Sequence, residues 1–170
     1  MAALAEVPSP SKHQLIAVPP EKARKEAESL RLPPLPKFDP QSANAPQPHP
    51  ELAGRRLRLP GDPAIYLVDP EGLRHHVPDP YTYNRIFRDW NNIYDDPSLY
   101  DILDGGALSF GASVIRGDGS APVYFVSGGT KRWITSPPVM DKCNFNWPAG
   151  GDVVGPAVVA AIPTGANWTV

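Results

Sequence analysis

Histidine and cysteine are the side chains best suited to proton transfer, metal ligation and nucleophilic attack near neutral pH. This chain of 170 residues has His13, His49, His75, His76 and a lone Cys143. His75 and His76 are neighbours in a run that reads as a strand, so they point to opposite faces and do not readily share a metal ion. A packing or surface role is the simpler expectation for both. Cys143 stands in Asp141-Lys142-Cys143-Asn144-Phe145. A neighbouring lysine lowers a thiol pKa, but a nucleophile also needs a histidine base beside it, so a partly buried, inert thiol is expected. A single cysteine permits no intrachain disulfide and no cysteine-based metal cluster. Asp95, Asp96, Asp101 and Asp104 lack the alternating spacing of a calcium loop. Gly117-Asp118-Gly119-Ser120 reads as a turn between strands, not a strand-to-helix phosphate loop. Arg116-Gly117-Asp118 spells an adhesion tripeptide, but three-residue matches are frequent. The expectation is a protein without catalytic residues, metal or cofactor, and not an enzyme.

Aromatic stacking is the chemistry that remains. Tyr66, Trp90, Tyr124, Trp133 and Trp147 could serve as platforms for sugar rings or as anchors at a protein interface. In a small domain most such residues belong to the core, and that is expected of Trp90 and Trp147. Trp133 differs, because the matching position earlier in the chain is His76, so the shared architecture does not demand an indole there. With Lys131 and Arg132 beside it, Trp133 is the first choice for a ligand or partner contact. Trp168, two residues from the end, is expected to be exposed and to join them.

These residues sit in two stretches that line up. Gly61-Asp62-Pro63-Ala64-Ile65-Tyr66-Leu67-Val68, Gly72, Arg74-His75-His76-Val77, Tyr83, Ile86-Phe87 and Trp90 form the first. Gly117-Asp118, Val123-Tyr124-Phe125-Val126, Gly129, Lys131-Arg132-Trp133-Ile134, Met140, Asn144-Phe145 and Trp147 form the second. Each closes alike, Ile102-Leu103-Asp104-Gly105-Gly106 against Ala161-Ile162-Pro163-Thr164-Gly165. Agreement at so many landmarks with nearly constant spacing marks an internal repeat. In each copy a β-rich run, Ala64–Val68 or Val123–Val126, precedes a turn rich in residues that suit positive φ. A second strand follows, Leu73–Val77 or Thr130–Ile134, completing a hairpin. Asp79-Pro80 and Ser136-Pro137 each place an N-cap residue before a proline, which starts a helix. Tyr83, Ile86, Phe87 and Trp90 recur at three- and four-residue spacing and so share one face. The stretch from Val153-Val154 to Ile162 adds either a strand or a short helix.

The expected fold class is α+β, mostly β, with two pseudo-symmetric hairpin-plus-helix units in one small domain over residues 54–170. Repeat one covers about 54–108 and repeat two about 109–170. The pattern resembles a loosely characterised bacterial tandem repeat: a tyrosine-bearing strand, a glycine turn, Lys-Arg-Trp-Ile, a tryptophan, then Ile-Pro-x-Gly. Thr130-Lys131-Arg132-Trp133-Ile134 and Ile162-Pro163-Thr164-Gly165 carry it best. The resemblance implies an accessory, binding-type module on extracellular or surface-associated proteins, and it carries over no catalytic residue.

Residues 1–53 read differently. Eleven of the 23 prolines lie in the first 50 residues, where Phe38 is the one aromatic residue, whereas all four tryptophans and six tyrosines fall after residue 60. Proline fixes φ and disfavours helix in the preceding residue, so an extended proline-rich arm is expected, with one short helix near 20–31. Such an arm cannot build a core. It is either a solvated tail or a docking peptide whose sticky residues are Leu15, Ile16, Val18, Leu32, Leu35 and Phe38, since extended proline-rich peptides lose little entropy on binding. Net charge is −2 and no basic stripe stands out, which argues against nucleic acid as a partner. No stretch approaches 18 apolar residues, so no membrane insertion is expected. The leading residues lack the positive region and apolar run of a secretory signal. The expectation is therefore a cytoplasmic protein or part of a particle exported without a cleaved leader. The functional expectation is a non-catalytic structural or interaction subunit that docks onto a larger assembly through its arm. The alternative is a carbohydrate or cell-surface binding module using exposed aromatics.

Overall fold

The computed structural model describes residues 45–170. The helix expected near 20–31 and the docking residues Leu15, Ile16, Val18, Leu32, Leu35 and Phe38 lie outside the described residues. Eight short strands form two sheets: β1 (Arg56–Arg58), β2 (Tyr66–Val68), β3 (Arg74–His76) and β4 (Ile93–Asp95) in the first, and β5 (Ser113–Gly117), β6 (Val123–Ser127), β7 (Thr130–Ile134) and β8 (Val153–Val154) in the second. Both have the same order, β3-β2-β1-β4 and β7-β6-β5-β8. In each, three strands meander antiparallel and the last strand pairs in parallel with the first. Short helices α1 (Pro80–Ile86) and α2 (Pro137–Lys142) follow the hairpins, and α3 (Pro156–Ala161) follows β8. The fold is α+β, mostly β, built from two pseudo-symmetric hairpin-plus-helix units. The stretch after Val153 supplies a strand and a helix, not one of the two.

Leu67 and Val68 are both fully buried although they point to opposite faces of β2. Leu67 joins a core shared by both units, with Ile86 and Phe87 from the first and Phe125, Phe145 and Trp168 from the second. Val68 packs on the other face with Leu57, Leu99 and Ile102. A strand covered on both sides reads as a continuous apolar run. The units also exchange backbone bonds across the pseudo-twofold: Phe87 bridges Phe145, Arg88 N donates to Asn144 O (3.0 Å), and Asn146 N donates to Ile86 O (2.7 Å).

Helix α1 starts where Asp79 accepts hydrogen bonds from Thr82 N (2.9 Å) and Thr82 Oγ1 (2.7 Å). It ends at Ile86, and Phe87 is already extended, so Trp90 lies beyond the helix and off its face. The closing segments add to the third strand of each sheet. Arg74 N donates to Leu103 O (3.0 Å) and Gly105 N to Arg74 O (2.9 Å); Lys131 N donates to Pro163 O (2.8 Å) and Gly165 N to Lys131 O (2.8 Å). Hydrogen-bond register therefore pairs Gly105 with Gly165, one residue out of step with the sequence alignment that set Gly106 against Gly165. It likewise pairs Leu108, whose N donates to His76 O (2.9 Å), with Trp168, whose N donates to Trp133 O (2.7 Å).

Residues 47–53 are tied to the first unit. Gln47 N donates to Asp101 O (2.9 Å), Leu103 N to Gln47 O (2.8 Å), and His49 N to Gly72 O (2.8 Å). Gly72 has φ +82, and a Cβ there would collide with the backbone of His49 and Pro50. Only glycine meets both conditions. Gly72→Ala is expected to cost roughly 2 kcal/mol and lower the melting temperature by about 8 °C. Thermal denaturation followed by circular dichroism checks this, and an unchanged melting curve would place the 45–53 segment elsewhere.

Candidate functional site

Two clefts open between a hairpin and the helix that follows it, one in each unit, of about 400 Å3 and about 230 Å3. Residue by residue they are the same cleft built twice. Ile65 and Val77 floor the first where Val123 and Ile134 floor the second; Pro80 corresponds to Pro137, and Tyr83 to Met140. Trp90 walls the first and Trp147 the second; His76 rims the first where Trp133 rims the second. The two strands of each hairpin supply one floor residue apiece at their open end, and the X-Pro step that begins each helix sets the far wall.

Trp90 and Trp147, expected in the core, are 50 % and 48 % exposed. Each indole is a wall with an open face, not a core residue. Trp90 stacks on buried Tyr83 at 3.9 Å with 25° between planes, and its Nε1 donates to Asn84 Oδ1 (2.9 Å). The loop that carries it is anchored by the buried guanidinium of Arg56, which donates to Tyr83 OH (2.5 Å), Asp89 O (2.8 Å) and Asn91 O (2.6 Å). Trp90 is thus held in place before any ligand arrives, which lowers the entropic cost of binding.

Of the contact residues expected from sequence, Trp133 is 40 % exposed and stands at a cleft rim. The other three are engaged inside the molecule. Lys131 is buried, its Nζ donating to Val159 O and lying 5.5 Å from the Tyr124 ring centroid. Its counterpart Arg74 does the same in the first unit, donating to Ile102 O (2.9 Å) and lying 5.5 Å from the Tyr66 ring. A cation on a long apolar stem can be buried when an aromatic face and a carbonyl receive its charge. Arg132 Nε donates to Ala166 O (2.9 Å) and its NH2 forks onto both Glu71 oxygens (2.7 and 2.8 Å), tying the second unit to the first. Trp168, expected at the surface, is 1 % exposed: it occupies the core position that Leu108 holds in the first unit, and its Nε1 donates to Cys143 Sγ (3.3 Å). A second exposed aromatic pair, Tyr81 stacked on Phe110 at 6.2 Å, was not singled out from sequence. Phe110 lies at the start of the second repeat, ahead of its first strand, and has no periodic neighbour to signal it.

The reactive side chains are also engaged. Cys143 is buried, and burial pushes its thiol up to about 11, so it is protonated near neutral pH. His75 is held by Asp69 (Nε2 to Oδ2, 2.9 Å) and by Gly106 O (Nδ1, 3.1 Å). Burial opposes ionisation of Asp69, but the hydrogen bonds from His75 and Leu73 N outweigh it and hold the carboxyl below its usual range. Among the described residues no group of three or more histidine, cysteine or acidic side chains is placed to hold a metal ion, and no helix is long and apolar enough to cross a membrane. No protein-family model, no curated protein and no solved structure matches this chain.

Proposed function

We propose that this protein is a non-catalytic interaction subunit whose two-repeat domain receives partner groups in its paired clefts, while the proline-rich leader docks onto a larger assembly. The observation that supports it is the retention of a half-exposed tryptophan wall in both clefts although their rims and floors have diverged. Exposing two indoles costs burial that a purely structural repeat would keep. A bacterial accessory repeat with a binding role, as the resemblance implies, fits the same geometry. Co-purification from native cells is the test. Removal of residues 1–44 should release the assembly, and Trp90→Ala with Trp147→Ala should release cleft partners, each variant keeping a wild-type circular dichroism spectrum. Retention of every partner by both variants would reject the proposal. The presence of two exposed indoles, Trp133 and Trp147, with Thr135 and Ser136 on one cleft favours a saccharide as its ligand there. Under that second reading Trp133→Ala removes binding on a glycan array, and a wild-type array without signal rejects it.

A further inference from the structure

The two clefts are alike in layout and unlike in charge. At the helix-capping position the first has Asp79 where the second has Ser136. Ahead of the floor strand the turn bonds, Asp62 N to Leu59 O and Ser120 N to Gly117 O (both 3.0 Å), set Asp62 against Ser120, two residues out of step with the sequence alignment that matched Gly61-Asp62 to Gly117-Asp118. Asp62 lies next to the cleft lining, its Oδ1 accepting a hydrogen bond from the lining residue Ala64 N (2.8 Å). Aspartate and serine serve equally as caps and turn residues, so the fold does not require negative charge at either place. No lysine or arginine lines this cleft. Each Asp79 carboxylate oxygen accepts one bond from Thr82 and has a further lone pair for a second donor. Trp90 lines the same cleft as Asp79, with one face on Tyr83 and the rest of the indole half exposed.

We propose that the first cleft receives the guanidinium of an arginine presented by a partner protein, stacked on Trp90 and paired with Asp79, with Asp62 adding negative charge beside the cleft, whereas the second cleft takes a neutral group. The proposal rests on the clefts being binding sites, as argued above. A guanidinium is planar, weakly hydrated and always charged; it stacks on aromatic faces and forks onto carboxylates where an ammonium cannot. The domain uses this pairing internally. Arg132 lies 4.8 Å over the Trp168 ring while its NH2 forks onto Glu71. Trp90 and Asp79 offer the same two kinds of group, an indole and a carboxylate, in one cleft.

The test uses the full chain labelled with 15N and reads the indole N–H signals of Trp90 and Trp147, assigned by Trp90→Phe and Trp147→Phe. The probes are N-acetyl-arginine amide and N-acetyl-citrulline amide, nearly identical in shape but differing in charge. Arginine should move the Trp90 signal saturably with about fivefold higher affinity than citrulline, while the Trp147 signal does not distinguish the two. Asp79→Asn keeps a good cap and should remove the preference; Asp62→Asn should reduce it. Equal responses of Trp90 to both probes would overturn the charge assignment while leaving the cleft as a binding site. No response of Trp90 to arginine would also overturn it, and the fate of the paired-cleft reading is then decided separately by the co-purification of the tryptophan variants.

Discussion

Replacing Trp168 with alanine is expected to destabilise the domain by roughly 3–5 kcal/mol and lower its melting temperature by about 10–20 °C. The indole packs 4.6 Å from the Phe125 ring and 5.3 Å from Phe145 in the core shared by both units, and its Nε1 donates to Cys143 Sγ. Truncation leaves a large cavity that the two sheets can close only by moving together. It also strips the aromatic face from Arg132, which lies over that ring while holding Glu71 of the other unit. A loss of this size is a large share of the stability of any small domain. Trp168→Phe keeps most of the packing and should cost about 1–2 kcal/mol. Calorimetry or circular dichroism melting of the two variants gives the comparison. A shift below about 3 °C for the alanine variant, as a surface residue would give, would show that the indole is not part of the core.

That expectation is the reverse of what the residue's position in the sequence suggests, and the reason is physical. A tryptophan two residues from a terminus has no local pattern to mark it as buried. Its burial follows from the register in which the closing segment adds to β7, where Trp133 O accepts the Trp168 N–H. Features set by neighbours in sequence were legible: the hairpin of β6 and β7, the glycine turns, and the helix starts at Asp79-Pro80 and Ser136-Pro137. Strands β1 and β4 were not, because three residues such as Arg56-Leu57-Arg58 have no periodicity, and they become strands only by pairing. Lys131 was misleading for a related reason. Its charge signals a surface, yet the Tyr124 face and Val159 O are brought to it by residues far along the chain. Half of the candidate site was visible as a recurrent tryptophan. Its exposure had a weak local signal in the polar neighbours Asp89 and Asn91 of Trp90, and Asn146 of Trp147. What periodicity could not show was that the helix stops at Ile86 and leaves Trp90 outside it.

The register that sets Arg56 opposite Leu67 sets Val114 opposite Phe125, so an apolar residue stands at this place in the second unit, and the asymmetry makes removal of Arg56 informative. Arg56→Met preserves the length and apolar bulk of the side chain while deleting the guanidinium. Asn91 O loses its donor, and Asp89 O keeps only the Tyr83 hydroxyl at 2.9 Å. Hydrogen bonds donated by a charged group contribute about 1.5–3 kcal/mol, and the stacking of Arg56 over Phe87 at 5.1 Å is lost as well. The expected loss of stability is roughly 3 kcal/mol. The larger consequence is local. Residues 89–91 lose the clamp that holds Trp90 against Tyr83, so the wall of the first cleft becomes mobile while the second cleft, which Arg56 does not touch, keeps its geometry. Well below the melting temperature the Trp90 indole N–H signal should broaden or move toward that of a solvated tryptophan, and the Trp147 signal should stay in place. Arg56→Lys should recover part of the stability but not the Trp90 signal, because one ammonium cannot span the Tyr83 hydroxyl and two carbonyls in the fixed geometry of a guanidinium. Broadening of both indole signals together would mean that Arg56 supports the whole fold and does not position the first cleft.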